Sequence, residues 1–98
     1  MSILVRAHDL AELELQDASQ YYESEFKGLG EAFLSEVESA VKQIREYPEA
    51  APIIHSIVRQ KVIRRFPYSV MYVLDEDGIY ILAIANQHRR PFYWSNRL

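Results

Sequence analysis

The feature that most constrains this chain is a change of hydrophobic period at Pro48. Before it, Ala11, Leu15, Ala18, Tyr22 and Phe26 recur at steps of 4, 3, 4 and 4, and Phe33, Val37, Ala40, Ile44 and Tyr47 at steps of 4, 3, 4 and 3. Each set falls on one face of a helix with 3.6 residues per turn. The spacing predicts helices over Leu10–Phe26 and Glu31–Tyr47. Asp9, with Glu12 three positions later, reads as the cap of the first. Lys27-Gly28-Leu29-Gly30 separates the two helices, because two glycines can adopt the left-handed backbone that ends a helix. Pro48 ends the second. So short a linker folds the pair into an antiparallel αα-hairpin, each helix about 25 Å long.

After Pro48 the pattern becomes that of strands. Glu49–Ser56 reads as a loop. Ile57–Phe66 reads as one strand or two short ones, and Val70, Tyr72 and Leu74 alternate along another. Asp75-Glu76-Asp77-Gly78 reads as a hairpin turn. Ile79–Asn86, nearly all apolar, is expected as a central strand buried on both faces. A further strand is expected at the start, over Ser2–Arg6. The order β-αα-β-β-β implies an α+β fold. An N-terminal strand and a helical hairpin precede an antiparallel sheet of three or four strands, with both helices on one face. The other face is then expected to be open.

The chain has 98 residues, which suits a single domain over 1–98. It has no cysteine, so disulfide scaffolds and zinc ribbons are excluded. His8, His55 and His88 are too scattered for a metal site, and no cofactor or metal is expected. The longest apolar run, Ile79–Ala85, is far short of the roughly 20 residues of a membrane helix. The apolar N-terminal stretch is too short for a signal peptide, so a cytoplasmic protein without membrane contact is expected. The net charge of −3 conceals a division. Residues 1–47 hold ten acids and four bases, and residues 48–98 hold four acids and seven bases. The helical half is acidic and the sheet half basic.

The basic residues gather in Arg59-Gln60-Lys61-Val62-Ile63-Arg64-Arg65-Phe66-Pro67-Tyr68 and in His88-Arg89-Arg90-Pro91-Phe92-Tyr93-Trp94. Strand alternation places Lys61, Ile63 and Arg65 on one face and Val62, Arg64 and Phe66 on the other, so that one basic set projects from the core. Three adjacent aromatics in the tail cannot all enter one core, and at least one is expected on a rim. Phe66-Pro67-Tyr68 reads as a strand bend with packing aromatics.

With Asp9-Leu10, Tyr21-Tyr22-Glu23, Gly28-Leu29-Gly30-Glu31-Ala32-Phe33-Leu34, Arg65-Phe66-Pro67-Tyr68 and the His88–Trp94 tail in this order, the chain resembles the RelE/ParE superfamily of type II toxins. The glycine-linked hairpin and the Arg-Phe-Pro-Tyr segment are closer to the ParE branch. The resemblance implies a toxin neutralised by a cognate antitoxin, a module of the plasmid-stabilisation kind. ParE-like members poison DNA gyrase and are not known as nucleases. RelE-like members cleave messenger RNA on the ribosome.

For the ribonuclease alternative, the chemistry needs a base for the ribose 2′-OH, an acid for the leaving oxygen and cations for the phosphorane. His88 and Tyr93 are the candidate proton-transfer groups, and Arg65 and Arg89 the phosphate holders. The acidic total charge and the single lysine of the basic strand depart from the strongly basic RelE branch. The ParE-like reading needs no catalytic set, only a complementary surface. Arg59, Lys61, Arg64, Arg90, Phe92 and Trp94 are the expected partner-binding residues. A third reading is an inactive module that binds antitoxin alone. No homo-oligomer is indicated.

Overall fold

The structure, a computed structural model, describes residues 3–98. Its elements are β1 (Leu4–Ala7), α1 (Asp9–Glu25), α2 (Leu29–Glu46), β2 (Ile53–His55), β3 (Val58–Val62), β4 (Tyr68–Asp75) and β5 (Gly78–Asn86), with a final turn of 3-10 helix at Ser95–Arg97. The strands form one five-stranded sheet in the order β1-β5-β4-β3-β2. This exceeds the expected three or four strands because β1 joins the sheet, parallel to β5. All other pairings are antiparallel. Ser2, where the first strand was expected to begin, lies outside the described residues. Among the described residues no helix is long and apolar enough to cross a membrane.

The helical hairpin covers one sheet face. Ala11, Ala18, Phe33, Val37, Ala40 and Ile44 meet Val70, Tyr72, Ile79, Ile81 and Ile84 there. Phe26 and Tyr47, the last members of the two apolar stripes, are exposed instead, because each lies beyond the end of its helix. The cap of α1 is His8, not Asp9: its Nδ1 accepts the Leu10 N–H at 3.1 Å. Only Gly28 of the linker is left-handed, with φ +89°, and α2 starts at once behind it. Gly30 lies inside α2 at the helix crossing, where a Cβ would stand 2.6 Å from the Ser19 carbonyl oxygen. Glu23 of α1 accepts the Gly28 N–H at 3.1 and 3.0 Å and the Gly30 N–H at 3.0 Å, so the first helix satisfies the free amides that open the second.

Three expectations for the sheet fail for identifiable reasons. The segment 49–56 is not all loop, since Ile53–His55 forms edge strand β2. β3 ends at Val62, and the alternation expected through Phe66 breaks at Arg65, where φ is +72°. Ile63 and Phe66, expected on opposite faces, are therefore both buried on the helical side. Finally, the second sheet face is covered. Val58, Met71, Val73, Leu82, Ala83 and Ala85 form a second apolar cluster closed by Trp94 from the tail. The tail can lie there because residues 86–97 turn repeatedly, through Arg89 N–H to Asn86 O, Tyr93 N–H to Arg90 O and Arg97 N–H to Trp94 O.

Candidate functional site

The C-terminal tail holds most of the candidate residues, and one carboxylate organises it. β1 pairs with β5 only over Gly78–Ile81, which leaves the rest of that β5 edge without a strand partner. A bulge at Leu82 and Ala83, both facing the tail, lies on this open stretch. Side chains meet its polar groups. Glu14 of α1 accepts the Ile84 N–H at 3.1 Å, and Arg97 donates to the Leu82 carbonyl at 3.0 Å. Glu14 and Arg97 also join through two bonds, of 2.9 and 3.0 Å, and the Tyr93 hydroxyl donates to Glu14 at 2.7 Å. The Arg97 and Glu14 side chains are only 9% and 16% exposed, so the pair is largely removed from water.

Tyr93, a candidate for proton transfer, is thereby committed. Burial first, then the hydrogen bond to Glu14 and its negative charge, hold the phenol well above its ordinary pKa. The guanidinium carbons of Arg89 and Arg97 stand 4.0 and 5.2 Å from its ring centroid. Arg89 and Tyr93 share a polar cleft of about 230 Å³ with Asp17, Tyr21 and Tyr68. Neither Arg65 nor His88 lines it. Arg65 sits on its exposed left-handed turn, 5.5 Å from the Phe66 ring. β5 ends at Asn86, and His88 lies in the exposed turn beyond, its backbone N–H bonded to Asn86 Oδ1 at 2.8 Å. Of the four residues of the ribonuclease reading, Arg89 and Tyr93 thus line one cleft, and Arg65 and His88 lie on the exposed turns outside it.

The expected partner-binding residues divide similarly. Arg59 is tied down, donating to the Glu49 and Ala51 carbonyls at 2.8 and 2.7 Å. Lys61 does not project from the core: it borders a cleft on the helical side with Tyr47 and Tyr72. Trp94 is 3% exposed and belongs to the core, because its indole closes the second sheet face. Arg64, Arg90 and Phe92 are exposed. Phe92 is the tail aromatic that reaches the surface, stacked on His55 at 4.8 Å. Among the described residues no three acidic or histidine side chains gather to hold a metal.

Two features escaped the sequence reading. One is the Glu14–Arg97 pair. Its signal was present, since Glu14 stands three residues after Ala11 and four before Ala18, a charge inside an apolar helical stripe. The other is a groove of about 560 Å³ between the helices. Its floor includes Ala7, Leu15, Val37, Val41 and Ile81, and Glu12, Glu38, Lys42, Arg45 and Glu46 form its rim. An apolar floor with a mixed-charge rim suits an amphipathic helix.

A family model described as the ParE toxin of the type II toxin–antitoxin system parDE matches residues 5–91. No curated protein sequence matches the chain. Among solved structures, a chain from the chromosomal ParDE toxin–antitoxin system of P. aeruginosa superposes with a TM-score of 0.65. It is 20% identical, and the match covers 87% of this chain and 96% of that one. At that identity the likeness is one of fold.

Proposed function

This chain belongs to the ParE toxin family of type II toxin–antitoxin systems, and from that premise we propose that it poisons DNA gyrase by binding, without catalysis of its own. The observation that carries the non-catalytic reading is the engagement of Tyr93. Its hydroxyl is donated to Glu14, its ring lies beside two guanidinium groups, and its raised pKa keeps the proton in place. A ribonuclease working at neutral pH needs a proton donor and acceptor within reach of one ribose phosphate. Tyr93 is spent on holding the tail, and His88 lies outside its cleft.

A cognate antitoxin silences the toxin by laying an amphipathic helix in the groove between α1 and α2. The apolar floor and mixed-charge rim support this placement. The toxin–antitoxin system from which the similar structure comes supports an antitoxin as the partner.

The test is controlled expression followed by work with purified protein. The expected result is inhibition of gyrase supercoiling and a DNA-damage response, with transcripts uncut. Transcripts cut within codons, with gyrase unaffected by excess folded protein, would instead establish the ribosome-dependent nuclease. Growth that continues with neither effect would leave only an antitoxin-binding module.

A further inference from the structure

We propose that the arginine-bearing tip of the sheet binds the phosphate backbone of duplex DNA. Two turns build this tip. One follows β3 and carries Arg64 and Arg65; the other follows β5 and carries His88, Arg89 and Arg90. The Gln87 N–H donates to the Pro67 carbonyl at 2.8 Å, and Tyr68 stands opposite Asn86, so the turns are held side by side. All four arginines are exposed, and neither turn contains an acid. Among the described residues both ion pairs lie elsewhere, at Arg6–Asp75 and Arg97–Glu14. The carboxylates facing the tip from α1 are Asp17, across the cleft from Arg89, and Glu14, which is committed to Arg97 and Tyr93.

The far end of the same hairpin has the opposite sign, with Asp75, Glu76 and Asp77. The eight residues of β4 separate the two ends by about 25 Å. A polyanion is therefore attracted to one end and repelled from the other, which orients its approach despite the net charge of −3.

Guanidinium forks match phosphate oxygens, which favours a phosphate ligand. The aromatic rings near the tip decide between single strands and duplex. A single strand is gripped largely by stacking its bases on free aromatic faces. Here Phe66 and Trp94 are buried, Tyr93 lies against Arg89, Phe92 is stacked on His55 and Tyr68 packs edge-on against Phe33, while the exposed ring of the cleft, Tyr21, stands on α1 beside Asp17 and not on either turn. What remains is positive charge, and contacts to the backbone alone are how duplex DNA is bound without sequence preference. This surface is distinct from the groove between the helices, and the inference holds whichever enzyme the toxin attacks.

The test is fluorescence anisotropy of the full chain with a labelled duplex of about 20 base pairs, titrated at several salt concentrations. Four phosphate contacts predict a slope of log K against log salt of about −3.6. The Arg64→Gln/Arg90→Gln pair removes two contacts at unstrained, exposed positions. It should reduce the slope by about 1.8 and weaken binding about tenfold or more at low salt, with circular dichroism unchanged. Lys27→Gln, in the helix linker, should leave the slope as it was. No binding at about 20 mM salt would overturn the proposal, as would a slope unaltered by the double substitution. Tighter binding to a single strand or to poly-glutamate of equal charge would overturn it as well. None of these outcomes depends on gyrase, so they are separable from the supercoiling result.

Discussion

Arg97 grips Glu14 with two hydrogen bonds across 83 positions of sequence, joining the last turn of the chain to its first helix. The same guanidinium reaches the Leu82 carbonyl, so three elements meet at one side chain. Removing it leaves a mostly buried carboxylate and a strand carbonyl without their donor. Arg97→Ala is expected to cost about 2–4 kcal/mol. Trp94 is the sole tryptophan and closes the cluster beneath this clamp. Its emission should shift to the red before the helices melt. Denaturant unfolding followed by fluorescence and by circular dichroism checks both, and coincident, unshifted curves would refute the clamp.

Tyr93 makes alkaline stability a readout of the same cluster. Its folded pKa is raised and an unfolded tyrosine titrates near 10, so the stabilisation is complete below about pH 10 and falls as pH rises above it. Tyr22 and Tyr72 are raised too, both chiefly by burial, and add to the decline. Tyr93→Phe should lower stability near pH 7 by about 1 kcal/mol and make the loss between about pH 9 and 11 shallower. An unchanged slope in urea unfolding across that range would count against the assignment.

Asp75 supplies the acid counterpart. Arg6, bonded to both its carboxylate oxygens at 2.6 Å, holds its pKa below the usual carboxylate range. The stabilisation is therefore present above the unfolded value near 3.9 and lost as pH falls through the folded value. Acid unfolding of Asp75→Asn should lack that component, and salt should weaken it in the parent because the pair is exposed. Chemical-shift titration of the Asp75 carboxyl carbon checks the direction.

The two linker glycines should fail differently. Gly30→Ala brings a methyl group against the Ser19 carbonyl and must push the helices apart, at about 2–3 kcal/mol. Gly28→Ala meets no atom within 4 Å and pays only for the left-handed backbone, about 1–2 kcal/mol. Gly28→Asn should recover part of that loss, whereas Gly30→Asn should be worse than Gly30→Ala. Thermal unfolding of the four variants separates a packing requirement from a conformational one.

Val41 tests the groove. It is half-buried on the groove floor, so Val41→Lys should leave the fold intact. A charge on the floor of an interface core costs about 2 kcal/mol or more, which is roughly a thirtyfold loss of antitoxin affinity. Calorimetric titration with the cognate antitoxin measures it. Wild-type affinity would move the antitoxin off this groove.

The helical hairpin, the β4–β5 turn and the buried central strand were legible because their determinants are local. Apolar residues at steps of three and four make a helix amphipathic wherever it sits, and a seven-residue apolar run between turns can only be interior. β2 was not legible, because three residues between prolines and a turn form a strand only when β3 offers an edge. The alternation of Ile63, Arg64, Arg65 and Phe66 misled for a related reason. Period two holds only while the backbone stays extended, and Arg65 leaves that region. For the candidate site, the basic residues could be named, but their separation into a clamped tail, tethered loops and an exposed tip could not.

The sequence by itself determined the α+β class, the order of elements and the division between an acidic helical half and a basic sheet half. These follow from periodicity and composition, which are properties of neighbouring residues. Only the tertiary structure decided that the tail covers the second sheet face and that Trp94 is core while Phe92 is surface. It also decided that Tyr93 spends its hydroxyl on Glu14. Each of these depends on where an unpaired strand edge and an uncovered apolar face lie in space: Glu14, 70 positions from Ile84, and Arg97, 15 positions from Leu82, meet the edge, and Trp94 covers the face.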